Sequence, residues 1–153
     1  MPELPEVQTV VNSLKPKLPG KIIQSVKCPN GYTGVFENGS LQKYNNFLIG
    51  QKIQSVYRRG KFIVIELNSG FLLIHLRMTG KVILEKPTLK NMKYTSFQLT
   101  FSDASDLFFQ DIRKFGRIYI CKKMNWLEQK LGVEPLSKDF TSKWLYDQLH
   151  KRK

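Results

Sequence analysis

Apolar residues in the first twenty positions follow a helical spacing. Leucines and valines recur three and four residues apart between Leu4 and Leu18, which predicts one amphipathic helix. Pro5 suits the first helical turn, where a missing N–H loses no hydrogen bond, and Pro16 ends the helix. The chain therefore opens with a short helix that presents one apolar stripe.

After residue 20 the pattern changes to short β-rich runs separated by Gly, Asn and Ser. In the run 61–85, the segments Asn68-Ser69-Gly70 and Thr79-Gly80 have turn composition, so we predict a meander of three antiparallel strands there. Residues 86–93 are expected to form an exposed loop. Strands at this spacing predict a two-layer sandwich or a barrel. The strands are predicted near residues 21–28, 52–58, 61–68, 70–77, 81–85, 94–101, 106–110 and 115–121.

The C-terminal residues return to helical patterns. Asn125 is a candidate N-cap of one helix, and Thr141 or Ser142 of another, with a linker around Pro135 between them. The sequence shows no internal repeat and no low-complexity tract.

Charge then narrows the possible partners. Lys and Arg number 25 against 12 Asp and Glu, a formal net charge of +13, while a hydrophobic fraction of 41% argues against disorder. A folded domain with this excess attracts polyanions, because phosphate binding releases their condensed counterions.

The cysteines and the apolar runs exclude several classes of protein. Cys28 and Cys121 are the only cysteines in the sequence, which excludes a disulfide-rich module and a four-cysteine zinc site within this chain. No apolar run approaches the roughly 18 to 20 residues of a membrane span, and the start has no signal-peptide pattern. We therefore expect a soluble intracellular protein with reduced thiols.

The residue after the initiator Met, Pro2, is the most unusual chemical feature. Removal of Met1 leaves a secondary amine, and an α-amino group with a pKa of roughly 7.7 to 8.0 is neutral near pH 7 far more often than a lysine. Beside Glu3 and Glu6, such an amine is a candidate Schiff-base nucleophile with local proton donors. A proline-rich helix start with dipole-favourable acids explains the same residues, and spacing alone favours that simpler interpretation.

Three basic clusters each adjoin a glycine or a strand end. Cations there can meet phosphates closely, and neighbouring apolar side chains can wedge between bases. A solvated charged face explains any one cluster as well, but three together favour nucleic acid. His75, in an apolar run, is interpreted as a core histidine. The clusters are Arg58, Arg59 and Lys61 in YRRGKF, Arg77 and Met78 in HLRMTG, and Arg113, Lys114, Phe115 and Arg117 in DIRKFGR.

The motifs together resemble the N-terminal domain of the formamidopyrimidine-DNA glycosylase and endonuclease VIII family. MPELPEVQTVV, RRGKFIVIEL, HLRMTG, DIRKFGRIY and LGVEPLSKDF occur in the family's order along nearly the whole chain. The resemblance implies a mainly β fold with flanking helices, a two-layer antiparallel sandwich of about eight strands after an N-terminal α-helix. It places that domain at 1–132, followed at 133–153 by an interdomain linker and the start of a truncated helix-two-turns-helix domain.

The resemblance also implies a chemistry, that of a bifunctional DNA glycosylase and abasic-site lyase of base-excision repair that acts on oxidised purines. Pro2 would attack the anomeric sugar carbon of a flipped-out nucleotide, and Glu3 would protonate the sugar ring oxygen. Glu6 would support the site, and Lys61 would bind a phosphate beside the lesion. The gap left by the flipped base would be filled by Met78, Arg113 and Phe115.

The implied partner is double-stranded DNA that contains an oxidised base or an abasic site. The protein is expected to bind it as a monomer and not to associate with a membrane. No cofactor is expected in this chain, and zinc only if a C-terminal finger is present in a full-length protein. An alternative is a truncated DNA-binding module without turnover. An RNA or anionic-lipid binder has only the charge in its favour.

Overall fold

In the computed structural model, which describes residues 4–77, 80–85, 94–111, 113–114 and 116–124, the chain folds into two antiparallel sheets and two α-helices. A 3-10 turn at Thr33–Val35 precedes the second helix. The helices are α1 (Leu4–Leu14) and α2 (Leu41–Leu48). The strands are β1 (Ile23–Lys27), β2 (Ile53–Arg59), β3 (Phe62–Leu67), β4 (Gly70–His75), β5 (Lys81–Glu85), β6 (Thr95–Phe101), β7 (Asp106–Gln110) and β8 (Arg117–Cys121).

Each sheet has four strands, and their inner faces pack together as a sandwich. One sheet has the order β2-β3-β4-β8 and the other β1-β6-β7-β5. The main core draws alternate residues from both sheets, such as Ile63 and Ile65 of β3 and Phe97 and Leu99 of β6, all with 0% exposure. The predicted two-layer antiparallel sandwich preceded by an α-helix is therefore confirmed.

The N-terminal helix has the predicted stripe. Val7, Val11 and Leu14 are at most 2% exposed and join the main core, whereas Thr9 and Asn12 face solvent. The helix ends at Leu14, before Pro16, as the proline requires. Its burial fixes α1 against β2 and β3.

The predicted three-strand meander is wrong at its third strand. The hairpin of β3 and β4 forms as expected, but β5 pairs with β7 in the other sheet, and β8 takes the place beside β4. The chain crosses between the sheets around Gly80, whose N–H donates to the Leu76 carbonyl at 3.1 Å. A Cβ on Gly80 would lie 2.8 Å from Phe109 Cε1, so this crossing needs a glycine. Turn composition predicted the reversal, but it does not specify the partner strand.

The helix α2 lies in a region for which only strands and loops were predicted. The Ser40 side chain caps it by accepting a hydrogen bond from the Lys43 N–H at 3.2 Å. Tyr44 and Leu48 are fully buried, and the Tyr44 hydroxyl donates to the Ile118 carbonyl at 2.9 Å. The helix is thus tied to β8 through Tyr44.

Several predictions fall on other parts of the chain. The loop at 86–93, the C-terminal helices and the boundary at 132/133 lie outside the described residues. Within the described ranges, no helix is long and apolar enough to cross a membrane. The same ranges contain no group of three His, Cys, Asp or Glu side chains that could hold a metal ion.

Candidate nucleic-acid interface

One end of the β2-β3-β4-β8 sheet carries a row of four cross-strand neighbours. Arg59 pairs with Phe62, Phe62 with His75, and His75 with Arg117. Directly opposed residues project from the same face, so the four side chains share the outer face of the sheet. At the usual strand spacing the row is about 14 Å wide.

The three basic clusters of the sequence meet at this end, which we call the basic end. Lys61 lies in the turn between β2 and β3, and Arg77 lies two residues after the last residue of β4. Arg113 and Lys114 precede the first residue of β8, and Lys114 is exposed. Antiparallel pairing therefore gathers cations that are far apart in sequence onto one surface.

The N-terminal helix begins at the same end. Arg58, near the end of β2, donates from Nε to Gln8 Oε1 of α1 at 3.2 Å. The chain leaving α1 reaches the opposite end of β2, where the Gly20 N–H donates to the Ile53 carbonyl at 2.8 Å. The helix therefore runs with its first turn toward the basic end, and Leu4 lies about 6 Å beyond Gln8 along the axis.

Arg58 also shapes the turn that carries Lys61. Its Nη1 donates to the Gly60 carbonyl at 2.9 Å, and Gly60 has a φ of 62°. One guanidinium thus joins the helix to the β2–β3 turn through separate nitrogens.

Aromatic rings lie beside the cations on the outer face. Phe62 contacts His75 and Tyr119 edge to face, at centroid distances of 4.9 and 5.5 Å. His75 Nδ1 accepts a hydrogen bond from the Arg77 backbone N–H at 3.2 Å. Burial raises the pKa of the Tyr119 phenol, and a hydrogen bond with the Arg77 side chain opposes that rise. His75 is only half-buried, so it is a surface residue of the basic end instead of the predicted core histidine.

The loop between β7 and β8 is held by its own polar contacts. Asp111 is 2% exposed, and its Oδ2 accepts a hydrogen bond from the Gly116 N–H at 2.5 Å. Lys114 has a φ of 61°, a left-handed conformation that is strained for a residue with a Cβ. The Arg117 side chain contacts protein atoms of this loop instead of extending into solvent.

The structure thus brings together most of the predicted site. Glu6 is exposed in the first turn of α1, where the helix dipole favours a carboxylate. Pro2, Glu3, Met78 and Phe115 lie outside the described residues. The other predicted residues all lie at the basic end; they are Arg58, Arg59, Lys61, Arg77, Arg113, Lys114 and Arg117.

Residues 1–118 match the family model of the formamidopyrimidine-DNA glycosylase N-terminal domain. The chain belongs to the formamidopyrimidine-DNA glycosylase family. The matched residues include every described strand except the end of β8, and they contain the whole basic end.

Individual family members support the assignment along the chain. A formamidopyrimidine-DNA glycosylase of Halalkalibacterium halodurans is 36% identical over 156 aligned residues, which cover 99% of this chain and 56% of the relative. The Lactococcus lactis Fpg in complex with abasic-site DNA has a TM-score of 0.78 at 30% identity, over 98% of this chain and 57% of that one. MutM in complex with DNA containing carbocyclic 8-oxo-G has a TM-score of 0.78 at 32% identity, over 98% and 57%. The chain thus spans little more than half the length of these formamidopyrimidine-DNA glycosylases.

Three residues at or near the basic end were not predicted from the sequence. His75 was assigned to the core because its neighbours are apolar, and only the register shows that it ends its strand beside Arg117. Tyr32 and Glu37 lie in a stretch without basic residues, yet both contact Arg117. An aromatic residue between two glycines, Gly31 and Gly34, was the available signal for Tyr32.

Proposed function

We propose that the chain is the catalytic N-terminal part of a base-excision repair DNA glycosylase that removes oxidised purines and cuts the strand at the resulting abasic site. The relatives' names and the DNA in the related complexes support this proposal. It rests above all on one observation: the first turn of α1, two residues after Pro2, lies at the basic end. An N-terminal amine near the basic end would be close to the sugars of a DNA strand whose phosphates the cations bind. We further propose that the protein acts inside the cell.

The chemistry uses the amine of Pro2 as nucleophile. Its nitrogen forms a bond to the anomeric carbon of the sugar, the glycosidic bond breaks, and the oxidised base leaves with the bonding electrons and takes up the proton that the amine loses. Glu3 protonates the sugar ring oxygen, which opens the ring and leaves an iminium Schiff base. Loss of a proton from the adjacent carbon then expels the 3′ phosphate, and a second elimination expels the 5′ phosphate. Each step moves protons and electron pairs among amine, carboxyl and sugar, so we propose no cofactor.

The basic end holds the nucleic acid for this reaction. Lys61, on the turn that Arg58 contacts, would bind a phosphate beside the damaged nucleotide. Arg113, on the β7–β8 loop, would enter the DNA duplex together with Met78 and Phe115 as the damaged base leaves the base stack. Such filling offsets an unstacking cost of a few kcal/mol.

Borohydride trapping tests the proposal. Chain with Met1 removed, verified by intact mass, is mixed with a duplex that contains one abasic site, and borohydride reduces any Schiff base to a stable adduct. We expect an adduct with this chain and none when a tag extends the N-terminus, because the tag converts the amine to an amide. The same tag at the C-terminus is the matched control and leaves trapping intact. Salt-dependent binding without any adduct would instead support a DNA-binding module without turnover.

A further inference from the structure

Arg117, which the sequence predicted as a DNA contact, uses its guanidinium within the protein. Nη1 donates to the carbonyls of Lys114 and Gly116 at 2.9 and 2.8 Å. Nε lies 3.3 Å from Glu37 Oε2, and Nη2 lies 3.5 Å from the Tyr32 hydroxyl. All three nitrogens therefore have protein partners, and the Arg117 side chain is only 23% exposed. A phosphate would have to compete with each of them.

Tyr32 joins the same cluster through its ring. Lys114 Nζ lies 5.5 Å and Arg117 Cζ 5.9 Å from the ring centroid, both within cation–π range. One phenol ring thus holds two cations of the β7–β8 loop region close to each other. It reduces the freedom of Lys114, whose left-handed backbone is costly to maintain without support.

Both partners of Arg117 are fixed to the sandwich. The Tyr32 N–H donates to Asn30 Oδ1 at 2.8 Å, and Asn30 Nδ2 donates to the Ser96 hydroxyl of β6 at 2.9 Å. The Glu37 N–H donates to the Ile118 carbonyl of β8 at 3.0 Å. The two residues therefore connect Arg117 to both sheets. Because the Arg117 guanidinium also donates to the carbonyls of Lys114 and Gly116, it restricts the motion of the loop.

We propose that Tyr32, Glu37 and Arg117 are positioning residues that form a brace, which holds the β7–β8 loop in the shape that presents Arg113 to DNA. This inference rests on the proposed function and adds that Arg117 acts through the loop instead of through a phosphate. The brace contains the Glu37 carboxylate, so its effect on DNA binding can be distinguished from a simple effect of charge. Removing Glu37 raises the net charge, which by electrostatics alone strengthens DNA binding. If Glu37 is part of the brace, its removal weakens recognition of damaged DNA.

The test measures binding preference, defined as the ratio of affinities for a duplex with a tetrahydrofuran abasic analogue and for the undamaged duplex. Fluorescence anisotropy over a salt series compares the wild-type chain with Glu37→Gln and Arg117→Lys. Glu85→Gln is the control, since it makes the same charge change at an exposed residue at the far end of β5. Thermal melts set a common temperature at which every variant is folded. Amide hydrogen exchange of the β7–β8 loop is followed in the free chains.

We expect the preference to fall about threefold to tenfold in Glu37→Gln and in Arg117→Lys, with faster loop exchange and an unchanged salt slope, because no phosphate contact is lost. Lysine keeps the charge of Arg117 but cannot reproduce its fork. Glu85→Gln should keep the wild-type preference. A wild-type preference in Glu37→Gln or in Arg117→Lys overturns the brace. If the wild-type chain itself shows no preference for the abasic duplex, the proposed function fails. The brace is then judged by hydrogen exchange of the β7–β8 loop alone. Unchanged exchange in Glu37→Gln rejects the brace, and faster exchange supports it.

Discussion

Replacing Gly116 with Ala should disturb the β7–β8 loop through one buried ring. The space around Gly116 decides the effect of the added methyl group. The new Cβ would overlap Phe109 Cζ and lie 3.0 Å from both Phe109 Cε2 and Asp111 Oδ2. Phe109 has 0% exposure, and the ring atom next to Cζ, Cε1, lies close to Gly80, where an added Cβ would be 2.8 Å from it. The ring therefore cannot move away from one loop without pressing on the other.

The magnitude follows from the cost of overpacking. An added methyl in a filled site costs about 1–3 kcal/mol of unfolding free energy. For a domain of this size, at about 2–4 °C per kcal/mol, that lowers the melting temperature by about 2–12 °C. Because the strain falls on the Asp111–Gly116 contact, we also expect weaker binding to an abasic-site duplex, measured by anisotropy well below the melting temperature.

Gly50→Ala provides the comparison. Gly50 has a φ of +90°, and a methyl group added there would have no atom within 4 Å, so alanine costs about 1–2 kcal/mol through backbone strain alone. Gly50 lies just after α2 and away from the basic end, so DNA affinity should be unchanged. On the scale of about 2–4 °C per kcal/mol, the packing argument predicts a clear drop in the melting temperature of Gly116→Ala. A variant that melts within about 1 °C of wild type and binds DNA with wild-type affinity would refute it.

Three further changes separate the roles of individual residues. Lys61→Ala should weaken binding to damaged and undamaged duplexes alike and reduce the salt slope by about one, whereas a loss confined to damaged DNA would contradict a phosphate contact. Arg113→Ala should lower excision of an oxidised purine more than cleavage at a pre-formed abasic site; equal losses on the two substrates would count against gap filling. Hydrogen bonds from Lys21 and Ser105 lower the pKa of the exposed Asp103 carboxyl, so its contribution to stability is present above the unfolded pKa of about 3.9 and is lost as the pH falls below it. Asp103→Asn should therefore lower the melting temperature at pH 7 and make a smaller difference as the pH falls below about 3; a difference that grows toward low pH would reverse the sign.

The strands could be predicted because each is a short apolar run between turn residues. Every strand that the structure describes begins and ends within two residues of its predicted bounds. The partner of β5 could not be predicted, because its contact with β7 depends on how two distant hairpins pack, and Thr79-Gly80 indicates only a local reversal. The helix α2 was missed because it is short and most of its residues are polar, with only Tyr44 and Leu48 buried.

The basic clusters could be picked out in the sequence because their cations adjoin glycines and strand ends. What charge cannot show is whether an arginine faces DNA or the protein. Arg58 and Arg117 lie in basic clusters of the sequence, yet both donate to loop carbonyls of the protein. Tyr32 comes from a segment 85 positions away from Arg117, and only the folded sandwich brings the two together.

The site of covalent attachment tests the central claim most directly. After borohydride reduction on abasic DNA, nuclease and trypsin digestion leave a sugar remnant on one peptide, and fragmentation mass spectrometry locates it. The account predicts attachment to the nitrogen of Pro2, in the N-terminal peptide that ends at Lys17. Attachment to Lys61 or another lysine, or a Pro2 peptide that stays unmodified while DNA is trapped, would contradict it.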